Sequence, residues 1–233
     1  MFTKPHGRKA RPVSQLLFTL VLMFCAGIGS AQADEIAIWN FNDSDLNVDH
    51  GAGTLVSDFV STNILFAAGT SNNARLGDPA GQALSLQGGS SNINNGRNIT
   101  FNVSTLGFSN IIISFATQGT STGFNSNQFQ YSLDGLNFID FGAPYMPATA
   151  FGSVPMVFTL SSIVGLDNNP NVAFRIVFNG ATSSTGNNRL DNFVVEGTSI
   201  ETNAIPEPST AFLLMSGLSG LLGARRLRRR ARS

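Results

Sequence analysis

Between residues 34 and 203 the apolar positions fall in short runs, each closed by Gly, Asn, Ser or Thr. No long segment repeats with the 3.6-residue period of an amphipathic helix. Such punctuation predicts an all-β domain, an antiparallel sandwich or barrel of roughly ten strands. The first run, Ile36–Phe41, is rich in β-formers, and weaker runs follow near Ile64–Ala67 and Ala83–Leu86. In Asn98–Val103, Ile99, Phe101 and Val103 alternate onto one face. Asn110–Thr117 is apolar on both faces and reads as a central strand. Val154–Leu160, Val172–Phe178 and Leu190–Glu196 complete the set. The strongest local signal is Phe129–Leu133, then Asp134-Gly135, then Leu136–Phe141. Asp-Gly predicts a two-residue type I′ turn, with Leu133 opposite Leu136 and Tyr131 opposite Phe138. A bulge near Phe138 then accounts for the change of parity at Ile139 and Phe141.

Both ends of the chain depart from this pattern. Lys4, Arg8, Lys9 and Arg11 precede the apolar run Leu16–Ile28, and Ala31-Gln32-Ala33 is an A-x-A cleavage site. Residues 1–33 therefore read as a signal peptide with a short helix, handled by the Sec machinery and signal peptidase, and the mature chain begins at Asp34. At the other end, residues 204–233 hold Pro206-Glu207-Pro208, an apolar run from Ala211 to Leu222, and a cluster that includes Arg225 and Arg226. The prolines fix φ and lack N–H donors, so they make an extended spacer. The apolar run predicts a hydrophobic helix, and the arginines hold its far end on the cytoplasmic side. At 1.5 Å per residue the 16 residues from Ser209 to Ala224 span about 24 Å, less than an ordinary transmembrane helix. A plain C-terminal anchor is the alternative.

This arrangement resembles the PEP-CTERM sorting signal of Gram-negative surface proteins. The resemblance implies exosortase as a partner, transient inner-membrane anchoring through the C-terminal helix, and a final place at the cell surface or outside the cell. Pro206, Glu207, Pro208, Arg225 and Arg226 are the residues that match. It also implies a setting of exopolysaccharide, biofilm and extracellular matrix.

The formal net charge of zero hides an asymmetry. Residues 34–203 carry four Arg and no Lys against thirteen Asp and Glu, a balance of about −9. Such a domain lacks the basic footprint of a nucleic-acid binder. The one cysteine, Cys25, lies inside the signal, so the mature chain has no disulfide and no thiolate metal site.

The domain 34–203 resembles the jelly-roll ectodomains that precede PEP-CTERM signals. The matching stretches are Ile38-Trp39-Asn40-Phe41-Asn42, Tyr131–Gly135, Phe174-Arg175-Ile176 and Gly186–Phe193. The resemblance implies a jelly-roll-like β-sandwich with its first and last strands adjacent, an architecture shared with many carbohydrate-binding modules.

Catalytic motifs are scarce. The mature chain has a single histidine, His50, and neither a G-x-S-x-G elbow nor an H-E-x-x-H. No enzyme is expected. Asp43, Asp45 and Asp49 recur at every second or fourth position, a spacing that suits the oxygen ligands of a structural Ca²⁺, with Asp191 on the closing strand as a further ligand. A solvated acidic loop is the plainer alternative. Trp39 reads as core. Tyr145, in the Pro-bearing loop Gly142–Gly152, is the candidate for stacking on sugar, and the 15 Phe of the domain read as core. The leading reading is a non-enzymatic exported surface protein, with a carbohydrate-binding module second and a secreted hydrolase third.

Overall fold

The computed structural model describes residues 33–200. The expected signal peptide, the Pro-Glu-Pro motif, the apolar run expected to form a helix and the arginine cluster lie outside the described residues. The strands are β1 (Ala33–Trp39), β2 (His50–Gly51), β3 (Gly53–Ser57), β4 (Ile64–Ala68), β5 (Gln82–Gln87), β6 (Arg97–Val103), β7 (Phe108–Gly119), β8 (Ser126–Ser132), β9 (Phe138–Asp140), β10 (Met156–Thr159), β11 (Val172–Asn179) and β12 (Asn187–Ser199). Among the described residues the helical elements are three-residue 3-10 turns at Ser61–Asn63, Ser90–Asn92 and Val164–Leu166.

Two antiparallel sheets face each other. One runs β10-β7-β12-β1-β2, with β5 also on β12 and β4 on β5; the other runs β3-β6-β11-β8-β9. From β5 to β8, and again from β10 to β12, successive strands alternate between the sheets. The first and last strands are neighbours, as expected. The Ser199 hydroxyl bonds Asp34, and Arg75 clamps Glu196 at 2.7 Å and Glu35 at 3.7 Å.

Alternation dictates the core. Ile99, Phe101 and Val103 of β6 meet Ile176, Phe174 and Val172 of β11 in register, all buried. The sheets interlock through aromatic pairs. Phe101 stacks on Phe193 at 3.6 Å, Phe129 on Phe158 at 4.0 Å, and Trp39 stands edge-on to Phe101 at 5.0 Å. Trp39 is fully buried, and Gly53 lies directly over its indole, where a Cβ would come within 2.7 Å of the ring.

Two local expectations need correction. The Asp134-Gly135 connection is not a two-residue type I′ turn. Tyr131 pairs with Ile139 and Ser132 with Phe138, leaving a five-residue loop, 133–137. Gly135 has φ +74°, whereas Asp134 keeps a negative φ and uses its carboxylate instead. That carboxylate accepts the N–H groups of Leu136 at 2.9 Å and Asn137 at 2.8 Å, and the Ser132 hydroxyl at 2.9 Å. The longer loop produces the parity change, so no bulge at Phe138 is required. The bulges lie in β12 instead, between Asp191 and Val194 and between Glu196 and Thr198. Asn192 takes φ +49° there, a conformation asparagine tolerates better than most residues.

Candidate functional site

The residues expected to ligate calcium are not brought together as a set. Asp43 is exposed, and Asp45 turns back to accept Asn47 N–H at 2.7 Å. Asp49 accepts Asn40 N–H at 2.6 Å; burial raises its pKa, with repulsion from Asp43 and Asp45 adding to that. Asp191 is fully buried in β12 and accepts the N–H groups of Thr70 at 2.7 Å and Asn192 at 2.9 Å. Burial pushes its pKa up to about 7. Among the described residues no three His, Cys, Asp or Glu side chains converge on a point where a metal ion would fit. Asp43, Asp45, Asp49 and Asp191 thus stand as separate carboxylates, each with its own backbone or solvent environment.

Asp191 and Asn192 have a different local task. The Asn192 amide donates to the carbonyls of Thr70 and Asn72 at 2.8 and 2.9 Å, and the Asn73 amide donates to Asn192 O at 2.8 Å. The bulged pair fastens the 69–75 loop onto the closing strand. Tyr145 also differs from an exposed platform. It is half-buried, bridges to Asn127 through paired backbone bonds, and packs 6.3 Å from both Phe115 and Phe158.

The outer face of the five-stranded sheet carries no contiguous sequence motif, yet it holds a cross-strand array of planar polar side chains. One row runs Val56, Thr100, Arg175, Gln130, Asp140 from β3 to β9. The row beside it runs Thr54, Asn102, Ala173, Ser132, Phe138. Beyond Arg175 on the other side, Val177 stands between Asn98 and Gln128. Thr100, Ala173 and Ser132 are buried although they point away from the core, so they form a floor that the longer side chains overhang.

Arg175 is the centre of this array. Its guanidinium lies 3.3 Å over the Phe138 ring, a cation–π contact that fixes its plane. Its Nε donates to Thr100 Oγ1 at 2.9 Å, and no hydrogen-bond partner engages Nη1 or Nη2 among the described residues. Partial burial lowers its pKa while nearby Asp58 opposes the shift, so the group stays charged. Gln130 is held by Asp140 at 2.8 Å. At the loop end of the same face an open groove of about 420 Å³ is lined by Thr54, Asn102, Ser104, Asp134 and Asn171 among others. Asp134 is its one carboxylate, and that group is engaged in shaping the 133–137 loop.

Fold and site together define an antiparallel β-sandwich with a polar strip on one outer face. Residues 204–230 match the family model of the PEP-CTERM protein-sorting motif, so the chain carries the signal that exosortase recognises. No curated protein is similar to the chain in sequence. Among solved structures it is similar to TmCBM61 in complex with β-1,4-galactotriose, at 12% identity over 67% of this chain and 92% of that one, with a TM-score of 0.42. It is similar to the CBM22-1 xylan-binding domain of Paenibacillus barcinonensis Xyn10C at 10% identity, 73% and 99% coverage and a TM-score of 0.44. Domain 4 of AbnA, a GH43 extracellular arabinanase from Geobacillus stearothermophilus, in complex with arabinotriose, gives 13%, 72%, 94% and 0.42.

Proposed function

We propose that this is a non-enzymatic exported protein of the jelly-roll kind, processed by exosortase, whose sandwich holds saccharide on the outer face of the five-stranded sheet. Signal peptide, sandwich and sorting motif stand in the order that export, folding and envelope sorting require. What supports saccharide binding is the strip around Arg175. Sugar hydroxyls both donate and accept, and a planar guanidinium flanked by amide side chains and a carboxylate offers donors and acceptors in a fixed plane. Half-burial of Arg175 and Gln130 strengthens their bonds relative to open water. An exopolysaccharide outside the cell is the natural ligand for a protein displayed there.

Two results are expected. A glycan array probed with the mature protein returns saccharide ligands, and Arg175→Ala weakens them about tenfold or more, as befits hydrogen bonds to a charged group worth about 1.5–3 kcal/mol. Arg175→Lys restores little, because it keeps the charge without the plane. An array with no saccharide hits removes this reading. For sorting, the surface form made in a host with exosortase has a mass lacking residues 211–232, and deletion of Pro206–Pro208 leaves full-length protein in the inner membrane. A surface form that still contains Leu213 to Arg232 makes the tail a plain anchor.

A further inference from the structure

We propose, resting on the saccharide reading above, that the ligand is a neutral polysaccharide whose chain runs along the strands, from the Arg175 strip into the groove at the loop end of the same sheet. Two observations carry this: the charge around the strip and the continuity of the groove with it.

The charge comes first. Arg175 is the only cation in the rows of the strip. Asp140 shares its row, Asp58 lies on the far side beside Asn98, and Asp134 lines the groove. A polyuronate laid over this face would bring one carboxylate to Arg175 and the others towards Asp140, Asp58 and Asp134. Like charges at such separations repel, and the remaining balance of the domain is acidic too. A chain of uncharged sugars meets no such penalty. The Asn171 side chain, the Arg175 Nη groups and the side-chain carbonyls of Asn102 and Gln128 have no hydrogen-bond partner among the described residues, and they pair readily with hydroxyls.

Direction follows from the groove. Asn102 and Thr54 belong both to the strip and to the groove wall, so the two are one continuous surface. From Asn171, just before β11, to Val177 beyond Arg175, the extended chain covers about 20 Å at 3.3 Å per residue, room for several sugar units end to end. Across the strands the strip closes instead. It ends at exposed apolar Val56 on one edge and at the three-residue strand β9 on the other. Asn171 is exposed, and its side chain has no hydrogen-bond partner among the described residues, which leaves it open to a ligand in the groove.

The test is calorimetric titration of the full chain in nanodiscs with oligosaccharide ladders, disaccharide upward, of glucose, xylose and galactose, beside an oligogalacturonate ladder. The expected result is affinity that climbs with length and then levels off for a neutral ladder, at least tenfold above the uronate ladder of equal length, and insensitive to added salt. Asn171→Ala, on the exposed rim, should abolish the gain from longer chains and leave the disaccharide unchanged, while Arg175→Ala weakens every length. Tighter binding of oligogalacturonate overturns the neutral assignment. Affinity independent of length, or an Asn171→Ala effect equal at all lengths, overturns the path along the strands while saccharide binding stands. Binding in no arm overturns the saccharide reading and this inference with it.

Discussion

Replacing Phe193 with alanine will destabilise the sandwich by about 3–5 kcal/mol, the range for deleting a fully buried aromatic ring. Phe193 is one of the rings through which the two sheets touch. It stacks face to face on Phe101 at 3.6 Å, lies 5.6 Å from Phe115, and takes the edge of Trp39 at 6.1 Å. Its neighbours are themselves buried and held in strands on both sheets, so they cannot collapse into the space without moving a sheet. For a domain of this size each kcal/mol shifts the melting temperature by about 2–4 °C, so a fall of at least 6 °C is expected in calorimetry. Phe193→Leu, which fills part of the volume, should recover roughly half. A loss below about 1 kcal/mol for the alanine variant would mean the sheets do not depend on this contact.

The second large effect is a fall in stability with rising pH. Asp191 has its pKa pushed from 3.8 up to about 7, chiefly by burial, with the hydrogen bonds from Thr70 and Asn192 opposing that shift. A carboxyl whose folded pKa lies above its unfolded value binds its proton more tightly in the native state. Its contribution is therefore fully present below pH 3.8 and is lost as pH rises through about 7. Three units at about 1.4 kcal/mol each set the loss at roughly 4 kcal/mol between these limits. Asp49 is shifted in the same direction and adds to the slope. Asp134 acts oppositely: the N–H groups of its loop hold its carboxyl well below the usual range, so it favours the fold above pH 3.8 and loses that effect in stronger acid. Urea titrations at intervals from pH 5 to 8 should show the wild type weakening up to about pH 7 and levelling off above it. Asp191→Asn cannot ionise and should run nearly flat over that interval. Equal stability of the wild type at both ends would contradict the burial of an ionisable carboxylate at this position.

Period-two alternation made most of the sandwich legible. Ile99, Phe101 and Val103 could point only one way, and the apolar density of β7 placed it inside a sheet. The resemblance of the ectodomain supplied the adjacency of β1 and β12. Short edge strands such as β2, with two residues, carry too little pattern to be read, and twelve strands stand where about ten were expected. The hairpin register failed for a specific reason. Asp-Gly implies two positive-φ residues, whereas Asp134 supplies a side-chain acceptor that organises five residues. The strip around Arg175 is spread over five strands, with one to three polar residues from each. Its only trace in the sequence is that the outward positions of Phe174-Arg175-Ile176 and Gln128-Phe129-Gln130 are planar and polar. Which of them share a row depends on cross-strand register, which the sequence does not show. The surroundings of Asp191 were equally hidden: the bulge beside it turns its carboxylate to the backbone amides of Thr70 and Asn192.

The place of β12 in its sheet has a mechanical consequence. The chain leaves the sandwich at its end and continues toward the sorting motif, so any pull from the tail enters through residue 200. The strand is thirteen residues long and is flanked along its length, by β7 on one side and by β5 and β1 on the other. A force directed along it loads those bonds in parallel, as shear, instead of opening them one at a time as at a peeling edge. Drag on a bound polymer would therefore be borne by the most strongly flanked strand of the domain. The edges that peel easily, β2 and β9, stand outside the line of tension.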